Sequence, residues 1–200
     1  LKYNEHFFIQ LLMALKKHHI KKNDGISFPK RGQFLKKIYD SLDFTLTNAQ
    51  IRVLREIRVD LKSKNPMNRL IQGDVGSGKT IVAILTAAIV IAKEYQVALM
   101  APTEILAEQH YSSIKEYCEI VNIDCEIITS NTPQKEKKVI LNKLKTGEIQ
   151  FIVGTHSLIQ DKVLFNNLGL IIIDEQHRFG VEHRKLLVDK GLNPEILAMT

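Results

Sequence analysis

The sequence predicts an α/β fold, with a mostly parallel central sheet, helices on both faces and a short helical segment before the sheet. Short apolar runs rich in β-branched residues alternate along the chain with longer helical segments. Several runs, such as residues 170–173, have no polar position on either face. A strand that is apolar on both faces belongs inside a parallel sheet that helices cover on both sides.

The elements follow one another in a regular order. A helical pattern over about 4–22 ends at the turn residues Asn23-Asp24-Gly25, and residues 27–31 are predicted to form a linker. Thr47 suits the N-cap of an amphipathic helix that Asn65-Pro66 ends. Strands are then predicted at 68–72, 96–101, 125–129, 149–153, 170–173 and 196–200, with helices at 79–94, 103–121, 133–145 and 178–190. The pattern divides the chain into a helical strap over 1–43 and one α/β domain over 44–200.

The charge is basic and unevenly placed. The formal net charge is +6, and between Lys16 and Lys37 eight basic residues stand against one acid, Asp24. Two interpretations stay open for this basic cluster: a solvated helix face and loop, or a surface that binds nucleic acid or another partner.

The remaining composition favours a reducing cytoplasm. Cys118 and Cys125 are too few for a disulfide framework or a zinc site, and they are predicted to be core thiols. No signal peptide is recognisable, and no apolar stretch reaches the length of a membrane span. The chain starts without Met and stops in an apolar run, so we expect it to be a fragment of a longer protein.

The strongest motif lies between the first predicted strand and the helix after it. Residues 73–80 read Gly-Asp-Val-Gly-Ser-Gly-Lys-Thr and fit the phosphate-binding pattern G-x-x-x-x-G-K-[ST] at every defined position. Glycines let backbone N–H groups approach phosphates, and the helix N-terminus attracts the anion. Lys79 is expected to reach the β- and γ-phosphates, and Thr80 offers a hydroxyl to Mg²⁺. We therefore predict that Gly73, Asp74, Val75, Gly76, Ser77, Gly78, Lys79 and Thr80 bind the nucleotide.

A second motif delivers carboxylates at the end of a strand. The apolar run 170–173 leads into Asp174-Glu175-Gln176-His177, at the edge where open α/β sheets bind ligands. Asp174 is expected to hold Mg²⁺, and Glu175 is expected to orient the attacking water when the γ-phosphate is hydrolysed. Carboxylates at such a position could otherwise cap a helix.

Taken together, these motifs resemble those of the RecG family of superfamily 2 DExH-type helicases. The resemblance rests on residues 65–70, 73–80, 101–110, 154–160 and 174–181, which stand in the family's order and spacing, and it spans roughly 44–200. It implies a RecA-like ATP-binding lobe with ATP and Mg²⁺ as cofactors.

The resemblance also implies residue roles. Gln50, in Leu-Thr-Asn-Ala-Gln, corresponds to an adenine contact, and Lys79, Glu175, Gln176 and His177 to the catalytic set that couples nucleotide to DNA. DNA-facing positions are implied at Pro102, Thr103, Glu104, Gly154, Thr155 and His156. Thr103 also suits an N-cap, and residues 154–156 also suit a tight turn. His110 falls in step with the apolar residues of its helix, which favours a satisfied core or edge histidine over a DNA contact.

The resemblance further implies that parts are missing here. A wedge domain and a second RecA-like lobe, which supplies an arginine finger, do not fit in 200 residues. DNA forks, junctions and duplex are the implied partners, and the function is branch migration and fork remodelling in recombination and repair. The isolated chain is expected to bind nucleotide weakly and to hydrolyse it poorly, because such an arginine can supply roughly 10³–10⁵ of the rate.

Two other functions stay open. The translocase module of a transcription-repair coupling factor shares the P-loop, the Gly-Thr-His segment and the acidic box followed by Arg-Phe-Gly-Val. Gln176 and the wording of the P-loop favour the RecG family. A nucleotide-dependent binding module without hydrolysis is the second, and the intact Glu175 argues against it.

Overall fold

The computed structural model describes residues 5–13, 25–30 and 32–200. Most of the basic cluster, namely Lys16, Lys17, Lys21, Lys22 and Arg31, lies outside these residues, as does the second half of the helix predicted over 4–22. The described helices are α1 over 5–13, α2 (Gln33–Asp40), α3 (Asn48–Lys62), α4 (Lys79–Ile91), α5 (Glu104–Val121), α6 (Gln134–Thr146) and α7 (Val181–Val188). The strands are β1 (Asn68–Ile71), β2 (Gln96–Met100), β3 (Asp124–Ile128), β4 (Ile149–Gly154), β5 (Leu168–Ile173) and β6 (Glu195–Met199).

The strands form one sheet in the order β1-β6-β5-β2-β4-β3, and every pairing is parallel. All six predicted strands are present, with ends that differ by at most two residues. Since helices lie between successive strands, the parallel α/β fold class predicted from the sequence is confirmed.

Two layers of helices cover the sheet because side chains of a strand point alternately to its two faces. In β2, Val97 and Leu99 pack in the cluster that contains α2 to α5, whereas Ala98 and Met100 pack in the cluster that contains α6 and α7. Helix α4 is buried from Ile81 to Ile91. This central helix follows the P-loop, so the phosphate-binding loop is anchored in the core.

The segment before the α/β domain contains a helix that the sequence analysis missed. Residues 27–31 were predicted to form a linker and no helix was assigned to 32–43, but α2 forms at Gln33–Asp40 and packs on α4 and α5. The helix has only eight residues, too few for its apolar face to stand out as a period in sequence, while burial of Ile38 stabilises it in the fold. Phe28 is fully buried beside Tyr95, with the ring centroids 5.4 Å apart. Phe28 and Ile38 of the strap therefore lie in the same core cluster as the residues of the α/β domain.

The last predicted helix is also shorter than expected. Residues 178–190 were predicted to be helical, but Gln176–Arg178 form a 3₁₀ turn and α7 begins only at Val181, after Gly180. The turn keeps the residues after the acidic box at the edge of the sheet. None of the described helices is long and apolar enough to cross a lipid bilayer.

Candidate functional site

The candidate site lies where the parallel strands end. Strands β1, β2, β4 and β5 lead into residues 73–80, 102–104, 155–156 and 174–177. Because carboxyl ends of parallel strands meet at one edge, the segments singled out in the sequence are collected there.

The P-loop adopts a conformation that requires glycine. Gly76 and Gly78 have φ values of +80° and +78°, in the left-handed region that L residues avoid. A Cβ at Gly78 would also collide with the Gln50 amide. Gly78 is the N-cap of α4 and no side chain caps this helix, so its first N–H groups open onto the loop. This cradle fits a phosphate group.

Lys79 lies across the loop. Its ammonium donates to the carbonyl oxygens of Gly73, at 2.6 Å, and Asp74, at 3.0 Å. An ammonium has three N–H donors, so one remains for a phosphate oxygen. The lysine is therefore held at the loop before any nucleotide arrives.

Gln50 joins helix α3 to the same loop. Its Nε2 donates to Ser77 O at 2.9 Å, and its Oε1 accepts from Thr47 N at 2.8 Å. The Thr47 hydroxyl in turn accepts from Gln50 N at 3.2 Å, which completes a capping box. The sequence analysis proposed Gln50 as a base contact, and the structure places it beside the P-loop.

The acidic box begins with a buried carboxylate that has a partner. Asp174 is 7% exposed, and its Oδ2 lies 2.7 Å from His110 Nε2. Glu175 has φ +49°, which is uncommon for a residue with a side chain and is often found at functional sites. Its Oε2 lies 3.4 Å from His177 Nδ1. The Asp174 side chain is therefore buried at the carboxyl edge of the sheet, whereas the Glu175 side chain is partly exposed.

His110 is a site residue whose role the sequence analysis missed. A satisfied histidine was expected, and its partner is the aspartate predicted to hold Mg²⁺. The available signal was that His110 is a strongly polar residue on the otherwise apolar side of α5 that contains Leu106 and Ile114. The pairing itself joins residues 64 positions apart and has no local signature.

A cleft of about 550 Å³ opens between α3, the P-loop and α5. Gln50, Gly78, Thr80 and His110 line it. Phe44 also lines this cleft with a half-exposed ring, although the sequence analysis used it only to mark a boundary. The Thr80 hydroxyl and the Asp174 carboxylate are oxygen ligands of the kind that Mg²⁺ prefers, so these residues fit an ATP·Mg²⁺ site.

A second cleft, of about 560 Å³, lies on the other side of Glu175. It is lined by Pro102, Thr103, Leu106, His156, Glu175, His177 and Arg178. The His156 ring stacks near Phe179 and meets His183 edge-on at 4.8 Å between centroids. Burial, with a smaller contribution from His183, lowers the pKa of His156, which favours a neutral ring at neutral pH.

The predicted DNA-facing residues divide into two groups. Pro102, Thr103 and His156 line the second cleft. Glu104 instead accepts from Ser130 N at 3.0 Å and from the Asn131 amide, so its carboxylate fixes the loop after β3.

The end of β4 and the turn after it hold the other two predicted DNA-facing residues, Gly154 and Thr155. Gly154 and Thr155 are buried, and Gly154 O accepts from Ala101 N at 2.9 Å. A Cβ at Gly154 would press against Ile128 O and Leu158. These two buried residues therefore place His156 at the second cleft, and their own contact with DNA stays a prediction.

Comparisons with known proteins agree with this geometry. Residues 47–194 match the DEAD/DEAH box helicase family. The chain is 50% identical over 200 residues to the ATP-dependent DNA helicase RecG of Aquifex aeolicus, and 49% identical over 199 residues to that of Bacillus subtilis. These alignments cover 99% of the chain but 25% and 29% of the two relatives, so the chain spans about a quarter of their length.

Solved structures are similar as well. The structure of RecG bound to a three-way DNA junction matches 98% of this chain, and 26% of that protein, with a TM-score of 0.86 and 43% identity. Yeast Dbp5, in complex with Nup159, Gle1, IP6 and ADP, matches 88% of the chain at 20% identity and a TM-score of 0.62. This second match concerns the fold alone.

Proposed function

The chain belongs to the DEAD/DEAH box helicase family, and from this premise we propose that it is the first RecA-like motor lobe of a RecG-type DNA helicase. In this role it binds and hydrolyses ATP with Mg²⁺ and thereby drives branch migration and remodelling of forked or junction DNA. The relatives named above support the RecG type over a coupling-factor translocase. A cytoplasmic location follows from this proposal.

One observation supports the proposal more than the others. Thr80 and His110 line the same cleft, and His110 is hydrogen-bonded to Asp174. The phosphate loop and the acidic strand end, which are about 100 residues apart in sequence, are therefore linked through His110, which lines the cleft of the phosphate loop and bonds to Asp174. A phosphate cradle beside a carboxylate is what nucleotide hydrolysis requires.

The roles of the residues follow from their positions. Bound Mg²⁺ supplies positive charge that offsets the charge developing on the phosphate oxygens. The amide groups at the start of α4 bind phosphate oxygens, and Lys79 adds a point charge held at the loop. Glu175, which is partly exposed and directly follows Asp174, orients the attacking water and accepts its proton.

The second cleft is the proposed DNA-facing surface. Thr103, His156 and Arg178 line it, and Glu175 borders it. Gln176 and His177 directly follow the proposed base in the chain. A shift of their 3₁₀ turn on hydrolysis would therefore move side chains that line this surface. Contacts here are expected to be mostly to phosphates and hence to weaken with salt.

The remaining parts of the relatives' length are expected to hold the wedge domain and the second lobe. We propose that the second lobe closes over the first cleft and supplies an arginine. Turnover by this chain alone is then expected to be slow even where binding is measurable.

The test is binding of a fluorescent ADP analogue, with and without Mg²⁺, to wild type, Lys79→Ala and Lys145→Ala. Lys79→Ala is expected to weaken binding by at least tenfold, because a charge-assisted contact of about 1.5–3 kcal/mol is lost. Lys145 is exposed on α6, whose C-terminal end leads to the opposite edge of the sheet, so its removal should change nothing.

Thermal unfolding of all three proteins checks that they are folded. Wild-type binding that Lys79→Ala retains in full would contradict the assignment of the phosphate site. An absence of binding in wild type, including a protein of the relatives' full length, would overturn the proposed function itself.

A further inference from the structure

We propose that His110 is a positioning residue for the magnesium site: it holds the Asp174 carboxylate in one orientation and so sets the Mg²⁺ requirement of nucleotide binding. This inference rests on the proposed function. It concerns a residue on α5 that is not part of the P-loop or of the acidic box.

The hydrogen bond between these side chains is short and shielded. His110 Nε2 lies 2.7 Å from Asp174 Oδ2, and the two side chains are only 12% and 11% exposed. A hydrogen bond to a charged group is about twice as strong as a neutral one, and little water competes for it here. The imidazole therefore restricts rotation of the carboxylate.

Both partners are held by the fold. Asp174 directly follows the fully buried strand β5, and its N–H donates to Met100 O at 2.9 Å. His110 lies in α5, between the turns that bury Ala107 and Ile114 in the core. Two fixed backbones thus define where Asp174 can point.

The bond also decides which oxygen of Asp174 is available. Oδ2 accepts from His110, and no other side-chain hydrogen bond to the carboxylate is present among the described residues. Oδ1 then remains for a metal-bound water or for Mg²⁺. Partners that orient a metal ligand in this way commonly change metal affinity by about 10–100-fold when they are removed.

A purely structural role is the competing explanation. A histidine that only fills space between α5 and β5 would affect stability and leave the Mg²⁺ requirement unchanged. His110 faces the open cleft beside Thr80 and Gln50, where a space-filling residue has no need of a polar atom.

The experiment titrates Mg²⁺ into the whole protein at a fixed concentration of a fluorescent ADP analogue. Wild type, His110→Ala, His110→Gln and the control Glu108→Ala are compared. Glutamine places its amide nitrogen about where Nε2 lies and can donate to Asp174. Glu108 is exposed on the same helix.

His110→Ala is expected to raise the half-saturating Mg²⁺ concentration about tenfold, while affinity for the nucleotide in EDTA stays the same. His110→Gln is expected to remain within about threefold of wild type, and Glu108→Ala to match wild type. In an Asp174→Ala background, His110→Ala should have no further effect, since it acts through that carboxylate.

The failures can be told apart. If wild type responds to Mg²⁺ and His110→Ala responds equally, the positioning role is wrong and the proposed function stands. If wild type binds nucleotide with no response to Mg²⁺, the magnesium site fails and this inference fails with it. Equal losses in His110→Ala and His110→Gln, with unchanged unfolding temperatures, would also contradict the role of the Nε2 donor.

Discussion

The two edges of the sheet use the same side-chain types in opposite ways. Each edge has a glutamine and a carboxylate: Gln50 and Asp174 at the carboxyl edge, Gln96 and Glu195 at the amino edge. Gln96 Nε2 donates to Leu144 O and Ile149 O, and its Oε1 accepts from the backbone N–H groups of Asn166 and Asn167. All of its capacity is used within the protein.

At the carboxyl edge, half of that capacity is left open. The Gln50 amide uses one donor and one acceptor, and one oxygen of Asp174 is bonded to His110. Gln50 lines the first cleft, and Asp174 is bonded to His110, which lines the same cleft. Polar groups at the amino edge therefore hold strand ends together, whereas those at the carboxyl edge are oriented by the protein and still able to bind a ligand.

The largest expected effect is at the amino edge. Gln96→Leu would remove four hydrogen bonds to the backbone, two of them buried, and is expected to lower the free energy of unfolding by about 3–5 kcal/mol. Chemical denaturation measures this, with the exposed Gln134→Leu expected within about 0.5 kcal/mol of wild type. Nucleotide affinity per folded molecule should not change. A stable Gln96→Leu protein with altered affinity would remove the contrast between the edges.

The next effect is on turnover at the carboxyl edge. Glu175→Gln in a protein of the relatives' full length is expected to lower the hydrolysis rate about 100-fold or more, which is about 2.7 kcal/mol, because the proposed base is lost. Nucleotide binding and stability should be nearly unchanged, since Glu175 is partly exposed. Steady-state hydrolysis is compared with that of Glu182→Gln, an exposed residue of α7. Retained turnover would mean that another group activates the water.

Glu195 gives a pH-dependent effect at the amino edge. Burial raises the pKa of Glu195 to about 7. The hydrogen bond that its carboxylate accepts from Met67 N–H lowers this pKa, and the negative charge of Asp60 raises it by a smaller amount. The folded protein thus holds this proton at pH values where the unfolded chain, with a pKa near 4.5, has released it. The contribution of protonated Glu195 to the free energy of unfolding is fully present below about pH 4.5 and is lost as pH rises through about 7.

Glu195→Gln removes this titration and keeps the shape. From pH 5 to pH 8, wild type is expected to lose about 2–3 kcal/mol of unfolding free energy relative to Glu195→Gln. Denaturation at several pH values measures the difference, and Glu119→Gln, an exposed substitution on α5, should follow wild type. Parallel pH profiles for wild type and Glu195→Gln would show that the buried carboxyl does not titrate in this range.

The sequence was sufficient for elements whose signals are local. The central strands β2, β4 and β5 were predicted because their apolar runs belong to a sheet buried on both faces, and the P-loop because its glycines need positive φ. Helix α2 was missed, since its three charged residues, Lys36, Lys37 and Asp40, hide a short apolar face that only α4 and α5 complete.

Site residues that depend on distant partners could not be predicted in the same way. The pairing of His110 with Asp174 requires two strands and a helix to be in place. Burial of Gly154 and Thr155, and the bonds of Glu104 to the loop at 130–131, likewise arise from packing between elements. Motifs locate such segments, but the geometry decides which side chains face the cleft.

Gln50 has a consequence for which base the cleft accepts. Its amide is locked in one sense, with the oxygen toward Thr47 N and the nitrogen toward Ser77 O. The free acceptor and the free donor are thus presented in a fixed order, which suits the amino group and ring nitrogen of adenine. Guanine offers an oxygen where adenine offers the amino group, and turning the amide over to suit it would break both bonds, at about 1 kcal/mol each. Under the proposed function, the capping box of α3 would therefore favour adenine over guanine in this cleft.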